Sequence, residues 1–383
     1  MSTSPPSKTR STARNPLPGR TQMADIARLA GVAVSTVSRA LAGSPLVNEK
    51  TRARVAELAG SLNYSVNVGA QNLRLKQSNT IAVIVPFDAH TGQSLSDPFF
   101  LALIGSLADA CTRRGYDMLL SRVDAEHLDR AGQPYLTGRA LGIVLIGQWH
   151  HHDQLNELAM RRVPLVVWGA HLPQQLYCTV GSDNAEGGRL ATEHLFAQGA
   201  RHIAFLGDPT LPEIAQRYEG YLLAHGAHGI VPTAALCRRV PFVKEAVEAN
   251  MDALLASGAK LDGIFASSDL VAMTAIAALH RHGRRVPEDV AVVGYDDIAL
   301  AVHYQPPLST VRQPIEAAGQ ALIDALLAQL EGGRPLPVHL PTSLVLRGTT
   351  KPEQAEPSSV PTARRALSKA KAILISKIPQ PPE

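Results

Sequence analysis

The 383-residue sequence predicts an all-α amino-terminal domain followed by a larger α/β body built on parallel sheets. Three short segments between residues 23 and 62 place apolar side chains at helical spacing. After residue 78, short runs rich in Val and Ile alternate with amphipathic segments, which is the pattern of buried parallel strands joined by helices. Apolar residues make up 45% of the chain, so each part can bury a core of its own.

The amino-terminal part is strongly basic, although the chain as a whole is not. Residues 1–77 hold eleven Lys and Arg against three acidic residues, whereas the formal net charge of the chain is only +4. A basic head on a mildly acidic body is typical of a nucleic-acid-binding protein whose larger part has another task. Residues 1–20 are rich in Ser, Pro and Arg and lack periodicity, so we expect a disordered basic arm there.

The three predicted helices of residues 21–65 form a small bundle. The first apolar stripe ends at Gly31, the second runs through Val37 and Leu41, and the third follows Asn48, a residue type that caps helices. Two helices joined by a tight turn at Gly31 have the geometry of a helix-turn-helix motif. The alternative is a helical pair that serves packing alone.

The outward face of the second helix carries short side chains and a single arginine. Its candidate DNA-binding residues are Val34, Ser35, Thr36, Ser38 and Arg39. A helix enters the major groove of DNA only where few bulky side chains hold it away. Hydroxyl groups can then bond phosphates, and one arginine can reach the O6 and N7 atoms of a guanine.

Polar residues follow several of the apolar runs that we expect to be strands. These runs cover residues 80–87, 141–147, 163–169, 201–208, 261–269 and 290–297. Ligands of open parallel sheets bind beyond the carboxyl ends of the strands, so Asp208, Ser268, Asp269, Asp296 and Asp297 mark a candidate small-molecule cleft. The alternative is that each caps the next helix. About 270 residues of this pattern imply two sheets rather than one.

The remaining composition excludes several classes of protein. Cys111, Cys178 and Cys237 have no CxxC spacing, which argues against a disulfide framework or a zinc site and favours buried thiols. We find no apolar run of about 20 residues and no hydrophobic signal core, so we expect a cytoplasmic, nucleoid-associated protein without a membrane partner. No phosphate-binding, nucleophile-elbow or zinc-protease motif occurs, and the histidines at 150–152 lack metal-pair spacing. We therefore expect no enzyme, no catalytic residue, no metal and no cofactor.

A series of motifs runs in order from residue 21 to about residue 348. It begins with MADIARLAGVAVSTVSRAL, TRARVAELAGSLNY and NVGAQNLR, and continues through DPFF, VGSDNAEGGRLATEHL, RYEGY, RVPEDVAVVGYDD and PPLSTVRQP. Together these motifs resemble the lactose repressor/galactose repressor (LacI/GalR) family of bacterial transcription regulators. The resemblance implies a DNA-binding headpiece at 21–65, a hinge helix at 66–78 and a periplasmic-binding-protein-like (type I) effector and dimerisation domain at 79–350. It leaves a mostly disordered tail at 351–383.

The resemblance also implies how the effector domain is divided. Its amino-terminal lobe covers about 79–180 and 311–339, and its carboxyl-terminal lobe covers about 181–310 and 340–350. The chain differs from the family pattern at Gln22, where a capping Thr is usual, at Ala33 instead of Ser and at Gln71 instead of Arg. Its loop within residues 87–100 is also longer than usual.

For DNA binding, the resemblance assigns roles to individual positions. Val34, Ser35 and Arg39 match base-reading residues, whereas Thr36 and Ser38 match hydroxyl contacts to phosphate. Asn67, Leu73 and Arg74 match the hinge, in which a leucine inserts into the minor groove; here that residue is Leu73. An inserted apolar side chain unstacks a base step and bends the duplex. Gly69 weakens the hinge helix by roughly 1 kcal/mol relative to Ala, so we expect the helix to form only with the partner chain and DNA present.

For effector binding, the resemblance points to six residues. Arg217 matches an arginine that holds ligand hydroxyls or a carboxylate, and Asp296 matches an aspartate that accepts hydrogen bonds from the ligand. The other positions that match residues lining the cleft are Asp97, Phe99, Trp168 and Ser268. Aromatic faces stack on sugar rings, which favours a mono- or disaccharide, although the pattern of each aromatic taken alone favours a place in the core.

The expected function is therefore a transcription regulator that acts as a repressor. We expect it to bind a palindromic operator in double-stranded DNA as a homodimer, with a tetramer left open, and to be controlled by a sugar. Two alternatives remain at this point. The same regulator could respond to a purine or another non-sugar effector, or the chain could be a cytoplasmic sugar-binding protein.

Overall fold

The computed structural model describes residues 22–41, 43–62, 64, 79–88 and 94–351. Its contacts separate two compact units, with the division between Ser78 and Asn79. The predicted arm at 1–20, the hinge at 66–78 and the tail at 352–383 lie outside the described residues. Three candidate DNA-binding residues, Asn67, Leu73 and Arg74, therefore lie outside them as well.

The first unit is the predicted three-helix bundle. Its helices are α1 (Met23–Ala30), α2 (Val34–Leu41) and α3 (Glu49–Ser61). Each helix contributes one fully buried side chain to the shared core, namely Ile26, Val37 and Val55. Since an eight-residue helix is marginal by itself, packing on this core stabilises α1 and α2. The prediction of three helices is confirmed.

Two local features set the ends of these helices. Gly31 ends α1 with φ +67°, in the left-handed region where a side chain is strained, and the turn it makes leads into α2. The Oδ1 atom of Asn48 accepts a hydrogen bond of 2.8 Å from the amide of Thr51 at the start of α3. The capping role predicted for Asn48 is confirmed.

The second unit is an α/β body with two sheets. Its strands are β1 (Thr80–Phe87), β2 (Asp117–Asp124), β3 (Gly142–Ile146), β4 (Leu165–Trp168), β5 (Cys178–Ser182), β6 (Ile203–Leu206), β7 (Cys237–Arg238), β8 (Gly263–Ala266), β9 (Ala291–Asp296), β10 (Ser309–Arg312), β11 (Val338–Leu340) and β12 (Ser343–Val345). Its α-helices are α4 (Pro98–Arg113), α5 (Gln133–Leu136), α6 (His152–Met160), α7 (Asn184–Ala197), α8 (Pro212–Ala227), α9 (Lys244–Ala256), α10 (Asp269–Arg281) and α11 (Ile315–Leu330). Three short 3₁₀ segments lie at Ala125–Gly132, Ala234–Leu236 and Ala299–Val302.

Each sheet has six strands, in the orders β11-β5-β4-β3-β1-β2 and β12-β10-β9-β8-β6-β7. All six apolar runs predicted as strands contain one, and two sheets are present as predicted. The expectation of parallel pairing is wrong for one pair, because β10 and β12 run antiparallel. β12 follows β11 after only two residues but belongs to the other sheet. The chain therefore reaches the edge of the second sheet through a two-residue connection, without the helical crossover that joins parallel strands.

The chain passes between the two sheets three times. It leaves the first sheet after Ser182, returns after Arg312, and leaves again after Leu340. Each sheet with its helices forms one lobe of the second unit. Apolar side chains cover both faces of each sheet, which is why the central strands read as continuous apolar runs in the sequence.

Helices α7 and α8 pack unusually closely, and glycines make this possible. A Cβ atom on Gly188 would overlap the carbonyl of Arg217, and a Cβ atom on Gly220 would overlap the carbonyl of Ala185. The backbones of the two helices therefore meet directly. This contact brings Asn184, at the start of α7, beside Arg217 of α8.

The burial of the three cysteines agrees with the prediction at two positions. Cys111 and Cys178 are buried as expected, but Cys237 is only half-buried, because it lies on the edge strand β7 beside the hydroxyl of Tyr218.

Within the part of the chain that the structure describes, no helix is both long and apolar enough to cross a membrane.

Candidate nucleic-acid interface and ligand cleft

The α2 helix presents its polar residues away from the core of the first unit. Val34 is 47% exposed, and Ser35 and Arg39 are exposed, whereas Thr36 and Ser38 are half-buried. Val37 and Ala40 occupy the opposite side of the helix and contact the core. The five predicted residues thus share one helix, but the side chains of Thr36 and Ser38 are less exposed than those of the other three.

The start of α1 is capped despite the unusual Gln22. The backbone amide of Gln22 donates a 2.9 Å hydrogen bond to Oδ2 of Asp25, so the aspartate at the third helical position closes the helix end. The same aspartate also lies 3.5 Å from the guanidinium of Arg28. The missing capping threonine is therefore compensated within α1, and the turn that positions α2 is kept.

Arg39 is the exposed cation of the α2 surface. Among the described residues we find neither an ion pair nor a hydrogen bond for its guanidinium, whereas Arg52 and Arg54 donate to the carbonyls of Val47 and Leu29. A guanidinium that is exposed and not engaged in the fold can form the paired hydrogen bonds that a guanine edge accepts.

The second unit contains a cleft with a cavity of about 100 Å³. All six residues predicted to line an effector site lie on its wall: Asp97, Phe99, Trp168, Arg217, Ser268 and Asp296. They come from both sheets and from positions up to 199 residues apart in the chain (Asp97 to Asp296). Further lining residues that the sequence analysis did not single out are Phe100, Ile146, Gly147, Trp149, Leu211, Glu213, Ile214 and Phe242.

The guanidinium of Arg217 is held in place by four neighbours. Its Nε atom donates a 2.9 Å hydrogen bond to Oδ1 of Asn184, and Nη1 donates one of 2.5 Å to the carbonyl of Ser267. Nη1 also lies 3.9 Å from Oδ1 of Asp296, and the guanidinium carbon is 3.7 Å from the ring centre of Tyr295. The side chain is only 8% exposed, so its orientation is set before any ligand arrives.

Asp296 is the acceptor beside Arg217, and a chain of hydrogen bonds fixes it. Gln313 donates from Nε2 to Oδ1 of Asp296 at 2.7 Å, and its own Oε1 accepts a 2.6 Å hydrogen bond from the hydroxyl of Ser182. Ser182 and Gln313 lie at two of the three crossings between the sheets. Burial raises the pKa of Asp296 well above its usual value, and the nearby Arg217 partly opposes this shift.

Two of the predicted residues also cap helices. Oδ1 of Asp97 accepts a 2.9 Å hydrogen bond from the amide of Phe99 at the start of α4, and burial raises the pKa of this carboxyl. The hydroxyl of Ser268 accepts from the amide of Val271 at 3.3 Å at the start of α10. For Asp97 and Ser268, capping a helix and lining the cavity are therefore compatible.

The other polar residues at strand ends do not line the cavity. Asp208 pairs with Arg239 at 2.8 Å, and Asp297 pairs with Arg312 and Arg347 at 2.6 Å each. Asp269 is fully buried and accepts hydrogen bonds from the hydroxyl of Thr310 and the amide of Ile298. None of these three aspartates caps the next helix either, because the N-cap positions are Leu211, Ser268 and Ile298.

Aromatic side chains form one side of the cleft. The ring centres of Phe99 and Trp168 are 6.4 Å apart. Trp168 is only 5% exposed and belongs largely to the core of the first sheet, whereas Phe99 is half-buried. Trp149 has φ +49°, an uncommon conformation for a bulky residue, and lines the same cavity. An apolar wall of this kind suits the faces of a ring.

Glu213 is the main functional residue that the sequence analysis missed. It lies in the first turn of α8 and lines the cavity, and its Oε1 atom is buried without a hydrogen-bond partner among the described residues. Burial raises the pKa of Glu213, and the backbone amides of Glu213 and Gln148 together with Arg217 partly offset this shift. Glu213 follows Asp208 by five residues after β6, so the rule used for the other strand ends would have reached it.

The described residues contain no group of three or more His, Cys, Asp or Glu side chains that could hold a metal ion. Of the three histidines at 150–152, which lack metal-pair spacing, His150 is exposed. His151 and His152 are half-buried instead, because they contact Glu126 at 3.1 Å and the hydroxyl of Tyr177 at 2.9 Å.

Comparison with known proteins gives a consistent result for both units. Residues 22–67 match the model of bacterial regulatory proteins, lacI family, and residues 192–350 match the periplasmic binding protein-like domain. The HTH-type transcriptional regulator CelR of Thermobifida fusca is 35% identical over 82% of this chain and 93% of its own length.

Two solved structures show the same similarity. A CelR–cellobiose complex has a TM-score of 0.65 with 32% identity, covering 86% of this chain and all of the other. A lac repressor dimer bound to operator and to the anti-inducer ONPF has a TM-score of 0.77 with 28% identity, covering 87% of this chain and all of the other.

Proposed function

The chain belongs to the lacI family of bacterial regulatory proteins, and from this we propose that it represses transcription by binding a palindromic operator under the control of a sugar. The observation that carries the proposal is the presence, in one chain, of an exposed α2 surface and a preorganised polar and aromatic cleft. A regulator needs both parts, whereas a sugar-binding protein without a DNA target has no use for the first unit.

In this proposal the first unit reads DNA. Val34, Ser35 and Arg39 contact bases, and Thr36 and Ser38 contact phosphates. Residues 66–78 form the hinge, where Asn67 and Arg74 contact DNA and Leu73 enters the minor groove. A homodimer places two headpieces on two half-sites, which accounts for a palindromic operator, and a tetramer would pair two such dimers.

The second unit binds the effector. Arg217 and Asp296 would hold paired ligand hydroxyls, because a fixed guanidinium donates and a carboxylate accepts hydrogen bonds. Asp97 and Ser268 would contribute further polar contacts, and Phe99 and Trp168 would contact the ring. The similar CelR structure holds cellobiose, which supports a mono- or disaccharide as the effector class.

We also propose that the protein binds its ligand without catalysing a reaction. Its relatives are transcriptional regulators, and the cleft is proposed to bind its ligand and release it unchanged. We propose that the protein acts in the cytoplasm, at the nucleoid, where its operator lies. It requires neither a cofactor nor a membrane for this task.

We expect the Arg39→Ala variant to lose about 1–3 kcal/mol of operator-binding free energy and to relax the base preference at one position of each half-site. The reason is that the exposed guanidinium of Arg39 is the α2 group able to form paired hydrogen bonds with a guanine. The operator is first selected from random DNA, and binding of all single-base variants is then measured at a fixed salt concentration.

Arg39→Lys and Lys76→Ala serve as controls. Arg39→Lys keeps the charge but cannot form the paired contact, so it should lose the same base preference. Lys76→Ala should weaken all DNA sequences alike and leave the base preference intact. A base preference that is unchanged in Arg39→Ala would exclude the proposed reading role of Arg39.

A further inference from the structure

The fold satisfies the carboxylate of Glu213 only in part, through the backbone amides of Glu213 and Gln148. This residue begins α8 at the cleft, and its Oε1 atom is buried and has no hydrogen-bond partner among the described residues. A buried acceptor of this kind is costly to leave unsatisfied, because it has lost its water without gaining a donor. Glu213 is a lining residue of the cavity, so a ligand that enters the cavity can supply the missing donor.

The charges that face the cavity are unbalanced. Of the described residues that line it, Asp97, Glu213 and Asp296 are acidic, and Arg217 is the basic one. Arg217 is already engaged by Asn184 and Ser267 and lies 3.9 Å from Asp296. Its positive charge therefore compensates Asp296 first. Burial raises the pKa of Asp97 and Glu213, so the excess negative charge lies at these two residues at a pH that ionises all three carboxyls.

The carboxylates of Asp97 and Glu213 differ in the hydrogen bonds that they can still accept. The carboxylate of Asp97 takes the amide of Phe99 as a helix cap, which satisfies part of its acceptor capacity. Glu213 has the free Oε1 atom. In a poorly solvated cleft, a second negative charge near that atom is repelled far more strongly than in water, whereas a hydroxyl or ammonium hydrogen is attracted.

We propose that Glu213 selects the effector by charge, accepting a hydrogen bond from a neutral polyol or an amino sugar and excluding sugar acids and sugar phosphates. This inference rests on the proposed function, because it concerns the same effector cleft. It narrows the effector class to sugars without negative charge. Glu213 is thus a specificity-determining residue in addition to Arg217 and Asp296.

Matched sugars test the proposal on the full-length protein. The panel contains D-glucose, cellobiose and D-ribose, their anionic counterparts D-glucuronate, cellobiouronate and D-ribose 5-phosphate, and the cationic D-glucosamine. Affinities are measured by calorimetry at pH 8, which favours the ionised carboxylate. We expect the wild type to bind at least one neutral or cationic sugar and to bind its anionic counterpart on the order of 100-fold more weakly.

The variants assign this preference to Glu213. In Glu213→Gln, the gap between the neutral sugar and its anionic counterpart should shrink at least tenfold, because the amide removes the negative charge at similar volume. Glu219→Gln is the matched control, since Glu219 is an exposed carboxylate on the same helix, and it should leave the gap unchanged. Glu213→Ser is made in parallel, so that the comparison does not depend on the folding of one variant.

The outcomes separate this inference from the proposed function. Equal or tighter binding of the anionic sugar by the wild type, or an unchanged gap in both Glu213 variants, overturns charge selection by Glu213 while the sugar-controlled regulator stands. If no member of the panel binds, this inference and the proposed sugar effector fall together. Operator binding, measured on the same preparation, then shows whether the DNA-binding part of the proposal survives.

Discussion

The Arg217→Met variant should lose its response to the effector while it continues to bind operator DNA. Arg217 offers preoriented, charge-assisted hydrogen bonds from a buried position, each worth about 1.5–3 kcal/mol. Loss of two such contacts lowers ligand affinity on the order of 100-fold or more. The substitution also leaves the carbonyl of Ser267 without this donor, which costs about 1–3 kcal/mol, whereas Oδ1 of Asn184 keeps the hydrogen bond from the hydroxyl of Tyr295.

This expectation is checked with the sugar from the panel that binds the wild type most tightly. Calorimetry measures its affinity, and thermal unfolding shows that the variant is folded at the temperature of the assay. Arg189→Met is the control, because Arg189 is a half-exposed arginine on the adjacent helix α7 and pairs only locally with Glu186 at 2.7 Å. Wild-type sugar affinity in Arg217→Met would rule out the proposed role of Arg217.

The Gly220→Ala variant should destabilise the second unit by about 3 kcal/mol or more and weaken sugar binding. An added Cβ atom would overlap the carbonyl of Ala185 and the backbone of α7, so the two helices would have to separate. Backbone cannot move aside as a flexible side chain can. Separation of the helices also moves Asn184 away from Arg217, which is why sugar affinity should fall together with stability.

Gly226→Ala provides the comparison within the same helix. A Cβ atom at Gly226 would meet no described atom within 4 Å, and the position is exposed. Alanine there should be neutral or should stabilise α8 by up to about 1 kcal/mol. Chemical denaturation of both variants measures the difference, and equal free energies of unfolding would refute the close packing of α7 on α8.

Much of the fold was predictable because its signals are local. Each of the six predicted apolar runs contains a strand that is buried on both faces, so its sequence shows a block of Val and Ile rather than an alternation. The three helices of the first unit were equally visible from their apolar spacing, from Gly31 and from the cap at Asn48. These features depend on neighbours in sequence.

The strands that went unpredicted lack such signals. β2 is an edge strand, and the exposed Asp117 and Arg122 and the half-exposed Asp124 lie among its apolar residues. β5 is fully buried but reads CTVGS, because Gly181 lies directly against the backbone of Gly169 and leaves no room for a side chain. A prediction based on hydrophobicity therefore misses both strands, β2 because it is polar and β5 because close backbone contact requires a glycine.

The residues of the cleft also divide into those that the sequence predicted and those that it did not. Four of the six predicted residues lie in the quoted motifs, whereas Trp168 and Ser268 lie in apolar runs predicted as strands. The structure brings all six to one cavity. Glu213 and Trp149 follow strands without belonging to a quoted motif, and Gln313 acts only through contacts with Ser182 and Asp296, 131 and 17 residues away in the sequence. Such partners become visible only when the three crossings of the chain are assembled.

Coupling between sugar and DNA is the most direct test of the central claim. Fluorescence anisotropy with the selected operator measures the affinity of the full-length chain with and without a saturating concentration of the tightest-binding sugar. We predict a change of at least about fivefold, with an equal change in sugar affinity when operator is bound, because coupling between sites is reciprocal. An operator affinity that is the same with and without bound sugar would contradict a sugar-controlled regulator.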